Sequence, residues 1–236
     1  MKNSLLYIRF AWQFAWQNCT LAHIKYFFRW KKDMQSGEDT LIRELPWMTY
    51  DAIDFLSSVC TSDMKVFEWG SGGSTLFFAR HTRHVISVEH SHQWAKQLSD
   101  KLKEKEVENV TYQEISGETI PDWAKRDYRD PDDFISKDKD SSGLSFEKYV
   151  KAIEDYPVDY FDIVVVDGRA RNCCIKYALS HVKKGGYLIV DNSDRKYYVN
   201  PFPELENPVL WEKKVFQGPV FFQHAFGKTS FFKKRF

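Results

Sequence analysis

The spacing of hydrophobic and polar positions changes period at regular intervals along the chain. In TYDAIDFLSSVC (49–60), Ala52, Ile53, Phe55, Leu56 and Val59 fall on one side at helical spacing, with Thr49 or Asp51 as N-cap. MKVFEW then reads as a short strand. After a glycine-rich turn, TLFFARH resumes helical spacing, with Ser74 placed to cap it. HVISVEH is a second strand through Val85–Val88, HQWAKQLSDKLKEKEV a charged helix, and NVTYQEI a third strand. SFEKYVKAIEDY returns to a helix, and FDIVVVDG is a fourth strand, apolar on both faces as a central parallel strand is. NCCIKYALSHV is a helix that KKGG closes with a glycine stop, YLIVDN is a fifth strand, and EKKVFQG and KTSFFKK are two last strands.

This alternation predicts an α/β fold: an open, mostly parallel seven-stranded sheet with helices on both faces and a closing C-terminal β-hairpin. Residues 47–236 form the sheet domain, and residues 1–46 an N-terminal amphipathic helical segment with a polar connector (33–46) ending at Pro46. Residues 117–144 break the rhythm with two prolines and mixed charge. They read as a long loop or insertion, in which Trp123 and Tyr128 are candidates to cover a substrate. Ligands of open parallel sheets lie beyond the carboxyl ends of the strands, at the point where strand order reverses. The residues to inspect are therefore Glu68–Gly73, Glu89 and His90, Asp167–Arg171 and Asp191–Asp194.

Composition narrows the function. Lys and Arg number 34 against 33 Asp and Glu, a formal charge of +1, which argues against a dedicated nucleic-acid binder. The cysteines, Cys19, Cys60, Cys173 and Cys174, form no CxxC pair, so they read as buried free thiols in a reducing compartment. Residues 4–30 are aromatic and apolar but interrupted by Arg9, Gln13, Gln17, Asn18, His23 and Lys25, too broken for a spanning helix or a convincing signal peptide. The segment either packs on the main domain or offers a peripheral membrane or partner-binding face, and the expected location is cytoplasmic, with membrane association through this segment as the second reading.

Three ligands compete for VFEWGSGGST (66–75). A Walker phosphate loop requires GxxxxGK[ST], and no lysine stands there. A dinucleotide loop requires GxGxxG; the chain supplies Gly70, Gly72 and Gly73 but no glycine at the sixth position, and Glu68 sits uncomfortably near a pyrophosphate. S-adenosylmethionine has no phosphate, its amino group is cationic, and its ribose hydroxyls suit a carboxylate such as Glu89.

Here the chain resembles the class I S-adenosylmethionine-dependent methyltransferases: VFEWGSGGST is similar to their first motif and VISVEH to the acidic end of their second strand. The resemblance covers roughly 47–236, and Ser74 departs mildly from it. It implies a donor site formed by Glu68, Gly70, Ser71, Gly72, Gly73, Ser74, Glu89, His90 and Asp167. Either His90 or His92 flanks the adenine, or both lie on the surface.

A second constellation, Asp167 with Asp191 and Asn192, resembles the Mg²⁺ ligands of the catechol and caffeoyl-CoA type O-methyltransferases. Those enzymes carry a lysine base shortly after the first aspartate, where this chain has Arg169 and Arg171. Arginine is a poor base but grips anions. Three readings stand: a metal site, Asp167 and Asp191 orienting a substrate or acting as base without metal, or a purely structural role as loop caps after the strands. Asp167, Asp191 and Arg169 are the catalytic candidates, and Arg171 and Tyr197 the acceptor-binding ones. The expected activity is O-methylation of a small molecule or sugar, with an anionic acceptor favoured by the arginines. The competing functions are a nicotinamide oxidoreductase and a non-catalytic scaffold recruited through the N-terminal helices.

Overall fold

The computed structural model describes residues 2–18 and 21–236; Cys19 lies outside them. The main sheet has seven strands: β1 Lys65–Trp69, β2 His84–Glu89, β3 Val110–Glu114, β4 Phe161–Val166, β5 Val182–Asp191, β6 Trp211–Pro219 and β7 Phe226–Lys234. They lie in the order β3-β2-β1-β4-β5-β7-β6. The first five run parallel, and β7 and β6 close the sheet antiparallel. The order reverses between β1 and β4, which places the mouth of the sheet beside Gly70 and Asp167.

The helices are α1 Lys2–Asn18, α2 Phe27–Ser36, α3 Thr40–Arg43, α4 Tyr50–Val59, α5 Gly73–His81, α6 His92–Glu104, α7 Glu147–Lys151 and α8 Arg171–His181. Strand alternation divides them into two layers. Phe67, Trp69, Val164 and Val166 face a core completed by Tyr149, Cys174 and Ile175 from α7 and α8. Val66, Val85, Ile163 and Val165 face a second core with Ile53 and Leu56 of α4 and Phe77 and Phe78 of α5. Tyr7 of α1, Tyr26 just before α2 and Trp30 of α2 belong to that second core, so the inner face of the N-terminal segment is built into the domain. Trp30 Nε1 donates to the Gln223 carbonyl at 2.7 Å and ties α2 to the β6–β7 turn.

Thr49 is the cap of α4, accepting from Ala52 N. The connector contains a further turn of helix, α3, because Asp39 accepts from Ile42 N. Helix α5 starts at Gly73 rather than after Ser74, since Gly72 N donates to Thr75 Oγ1. KKGG does not stop α8 but lies within β5: the chain turns extended at Val182, and Gly185 at φ +80° absorbs a register irregularity against β4. The 117–144 insertion is closed at its base by a two-residue antiparallel ladder, Glu118–Thr119 with Leu144–Ser145, and anchored by buried Phe134 and Ile135.

Gly73 decides how closely the connector can approach. A Cβ there would lie 2.2 Å from the Thr40 carbonyl oxygen and 2.4 Å from that of Leu45, both backbone atoms that cannot swing away. Gly73→Ala is therefore expected to lower the unfolding free energy by about 1–3 kcal/mol, the range for overpacking. Urea denaturation checks this, and an unchanged midpoint would contradict the close approach.

Candidate active site

A cavity of about 580 Å³ opens at the carboxyl ends of β1, β2, β4 and β5. The glycine loop, residues 70–74, forms one wall. Gly70 adopts φ +93°, and a Cβ on it would meet the Asp167 and Gly168 backbone at 2.9 Å, so only glycine lets the loop lie against the end of β4.

Glu89 closes β2 and lines this cavity, buried at 3% exposure. Its Oε2 accepts from Ser71 N (2.9 Å) and Ser71 Oγ (3.1 Å), and Oε1 from His90 N (2.9 Å) and Ser91 N (2.8 Å). Burial pushes its pKa up, but the His90 side chain and these backbone donors outweigh it and hold the carboxyl below the usual range. Arg169 Nε donates to His90 Nε2 (3.0 Å), which leaves the ring proton on Nδ1, 2.9 Å from Glu89 Oε1. Arg169 in turn donates to Asp138 Oδ2 at 2.6 Å. A continuous polar chain thus joins the β2 carboxylate to the insertion. His90 lines the cavity, whereas exposed His92 pairs with Glu114.

Glu68 does not face the cavity. It shares the Val66 side of β1 and is fully buried beneath the loop, where Oε1 accepts from Thr75 Oγ1 and from Ser87 Oγ (2.8 Å). Its role is to hold Thr75, which in turn receives Gly72 N–H at 3.1 Å. Burial pushes Glu68 up to about 7.

The far wall is acidic and clamped by one arginine. Arg171 gives Nε to the Gly168 carbonyl (3.0 Å), Nη1 to that of Asp191 (2.7 Å) and Nη2 to that of Asp167 (2.9 Å), and Nη2 also lies 2.8 Å from Asp167 Oδ1. It lines the cavity, yet its donors are spent tying β4 to β5, so it is a structural staple rather than a free anion grip. Asp191 accepts from Thr229 Oγ1 (2.6 Å) and Asn192 Nδ2 (2.7 Å). Burial raises both aspartates, Asp167 to about 8, against the pull of Arg171. A cation between Asp167 and Asp191 would compete with the Arg171 guanidinium, and Asn192 turns its amide donor toward Asp191. Among the described residues no group of three His, Cys, Asp or Glu side chains is placed to hold an ion. The donor set does not fit Mg²⁺.

Tyr197 also lies outside the cavity wall, packed edge-on against Tyr128 of the insertion at 5.1 Å and Tyr198 at 4.6 Å. Trp123 and Tyr128 likewise do not line it. Asp194, at the end of the stretch after the fifth strand, does line it, and sequence reasoning passed over several further residues that do: Trp94 in the first turn of α6, Arg195, Thr40 of the connector, Trp47 just after it, Gln223 of the β6–β7 turn and Phe226 at the start of β7. Arg195 Nη1 donates to Tyr198 Oη at 2.8 Å, and Arg195 forms no ion pair among the described residues. Its signal stood in DNSDRK, next to the tyrosines that drew attention; Trp94 likewise follows His92 by two positions.

No family model matches the chain, and no curated protein matches it by sequence. Solved structures do match the fold. The O-methyltransferase from Bacillus cereus in complex with SAH aligns at TM-score 0.57 and 14% identity over 87% of this chain and 96% of that one. A rRNA methylase from Streptococcus thermophilus aligns at 0.53 and 14%, over 78% and 93%. The O-methyltransferase TomG from Streptomyces achromogenes, in complex with SAM, aligns at 0.52 and 14%, over 73% and 74%. The chain has the Rossmann-like fold of the class I methyltransferases.

The raised pKa of Glu68 makes stability depend on pH. Between its ordinary value near 4.5 and about 7 the folded protein keeps a proton that the unfolded chain has released. Unfolding free energy therefore falls as pH rises through that window, by about 3 kcal/mol from this group, and is level above it. Glu68→Gln cannot ionise, so its urea stability is expected to fall less between about pH 5 and about pH 8 than that of the wild type. Parallel curves would contradict the assignment.

Proposed function

We propose that the chain is an S-adenosylmethionine-dependent methyltransferase acting on a hydroxyl of a small-molecule or glycan acceptor that carries an anionic group. One observation carries the donor half. The glycine-loop amides are occupied by the protein itself, Ser71 N by Glu89 and Gly72 N by Thr75. A pyrophosphate would need such amides bare. What the cavity offers instead is carboxylate, from Glu89, Asp167 and Asp191, which suits a ligand bearing hydroxyl donors and positive charge. The nicotinamide reading is disfavoured on the same ground.

In this reading ribose hydroxyls replace the Ser71 hydroxyl on Glu89 Oε2. Trp94 and His90 border the adenine, and Asp167 faces the donor's cationic end. Methyl transfer is an in-line displacement at carbon, in which the acceptor oxygen attacks as the sulfonium leaves, so alignment supplies much of the rate. The acceptor hydroxyl gives its proton to Asp167, whose raised pKa suits it to the role of base. Arg169 positions His90, and through it Glu89. Arg195, which lines the cavity and has Asp138 as an electrostatic neighbour but forms no ion pair among the described residues, is the cation offered to an anionic acceptor, in place of Arg171. The near-even charge of the chain gives little support to a nucleic-acid acceptor.

Isothermal titration calorimetry of the full chain tests the donor. Micromolar or tighter binding of S-adenosylmethionine is expected, with no heat from NADH, and Glu89→Gln weakens it at least about tenfold by removing a charge-assisted acceptor. Absence of binding ends the proposal. With saturating donor and an identified acceptor, turnover is expected to rise with pH toward a plateau above about 8. Asp167→Asn is expected to lower turnover about a hundredfold or more, the scale of a lost general base. A flat pH profile would remove Asp167 from that role.

A further inference from the structure

Helix α1 is apolar on two opposite faces. Tyr7 and Phe14 are buried on one, where they pack edge-on against Phe226, at 5.3 and 5.6 Å. On the other, Leu5, Ile8, Trp12 and Trp16 recur at three- and four-residue spacing and stand 64%, 57%, 74% and 80% exposed. That spacing stacks them in a single narrow stripe. The pattern continues in Leu21, Ile24 and Phe28, also exposed. Helices α1 and α2 pack on one another, so the segment that carries both stripes is one helical unit.

Charge singles out the same segment. The chain's cations and carboxylates are nearly equal in number, yet residues 1–32 hold Lys2, Arg9, Lys25, Arg29, Lys31 and Lys32 and not one Asp or Glu. Lys25 and Arg29 are paired with Asp51 and Asp54 of the domain. Arg9, Lys31 and Lys32 form no ion pair among the described residues. Arg9 lies one turn before Trp12, and Lys31 and Lys32 one turn after Phe28, so these cations flank the apolar stripes.

We propose that this surface docks the protein on an anionic lipid bilayer, with Trp12, Trp16 and Phe28 entering the interfacial layer and Arg9, Lys31 and Lys32 held at the headgroups. Aromatic and aliphatic side chains flanked by cations, on helices that lie along a surface, have the chemistry of an interfacial anchor. No helix among the described residues is long and apolar enough to cross a membrane, so the contact is peripheral. A second copy of the chain fits less well, because a two-fold contact would set this carboxylate-free segment against itself. The inner face of α1 touches Phe226, which lines the cavity, so a docked bilayer lies one helix away from the cavity wall. The docking does not rest on the methyl-transfer reading, and its test needs no activity.

The test is vesicle co-sedimentation of the full chain, with tryptophan fluorescence in parallel. Vesicles of phosphatidylcholine containing about one-third phosphatidylserine are expected to bind the protein, with a blue shift of emission, and pure phosphatidylcholine only weakly; raised salt should release the protein. Trp12→Ser with Trp16→Ser, both exposed, should abolish the blue shift and weaken binding at least about tenfold without altering the melting temperature. Arg9→Gln with Lys31→Gln and Lys32→Gln should weaken binding about a hundredfold. No binding to anionic vesicles at low salt would overturn the proposal. So would binding that both variants leave unchanged, or a dimer in light scattering that Trp12→Ser with Trp16→Ser dissolves.

Discussion

The convergence of Ser71, His90 and Ser91 on one carboxylate fixes the geometry of the cavity. Glu89 closes β2, and by accepting from the loop that follows β1 it binds two strand ends into one wall. Burying a carboxylate is costly unless its oxygens are satisfied, and here four donors satisfy them. The loop can lie close enough only because Gly70 leaves room against Asp167 and Gly168, and Gly73 against Thr40 and Leu45. A second buried carboxylate, Glu68, braces the loop from below through Thr75. The loop is thus held from both sides by acid side chains, the opposite of a phosphate cradle.

Across the cavity the same economy recurs with reversed sign. Asp167 and Asp191 would repel at the ends of adjacent strands, and Arg171 lies between them while also satisfying three backbone carbonyls. That arrangement explains how two raised aspartates coexist, and it leaves a divalent ion little to coordinate. A lysine at such a place could lose its proton and act as base; an arginine cannot, which is why the proposed reaction gives proton transfer to the carboxylate.

Much of this was legible in the sequence because strand ends carry the site and strand ends are easy to find. FDIVVVDG and YLIVDN delivered Asp167, Asp191 and Asn192 to one edge, and VISVEH delivered Glu89, since apolar runs ending in acid leave few alternatives. Direction was harder to read. Glu68 and Glu89 both sit at strand ends, yet Glu68 lies within β1, where the pleat turns it under α5, while Glu89 reaches the cavity. Arg169 and Arg171 are two residues apart, and only the helix start at Arg171 commits its guanidinium to carbonyls. Tyr197 was drawn into the insertion by Tyr128, a partner nearly seventy positions away that no local pattern reveals. Thr40, Trp47 and Phe226 reach the cavity only because the N-terminal segment folds back over the hairpin, and the KKGG stop failed because extended pairing with β4 outweighed local glycine propensity.

The account stands or falls on what the cavity holds. A crystal structure of the protein soaked with S-adenosylhomocysteine is the most direct measurement. The account predicts the ligand at the ends of β1 and β2, with its ribose hydroxyls donating to Glu89 and its amino acid end toward Asp167. Density at another place, or a ribose that leaves Glu89 bonded only to its own loop, would contradict it.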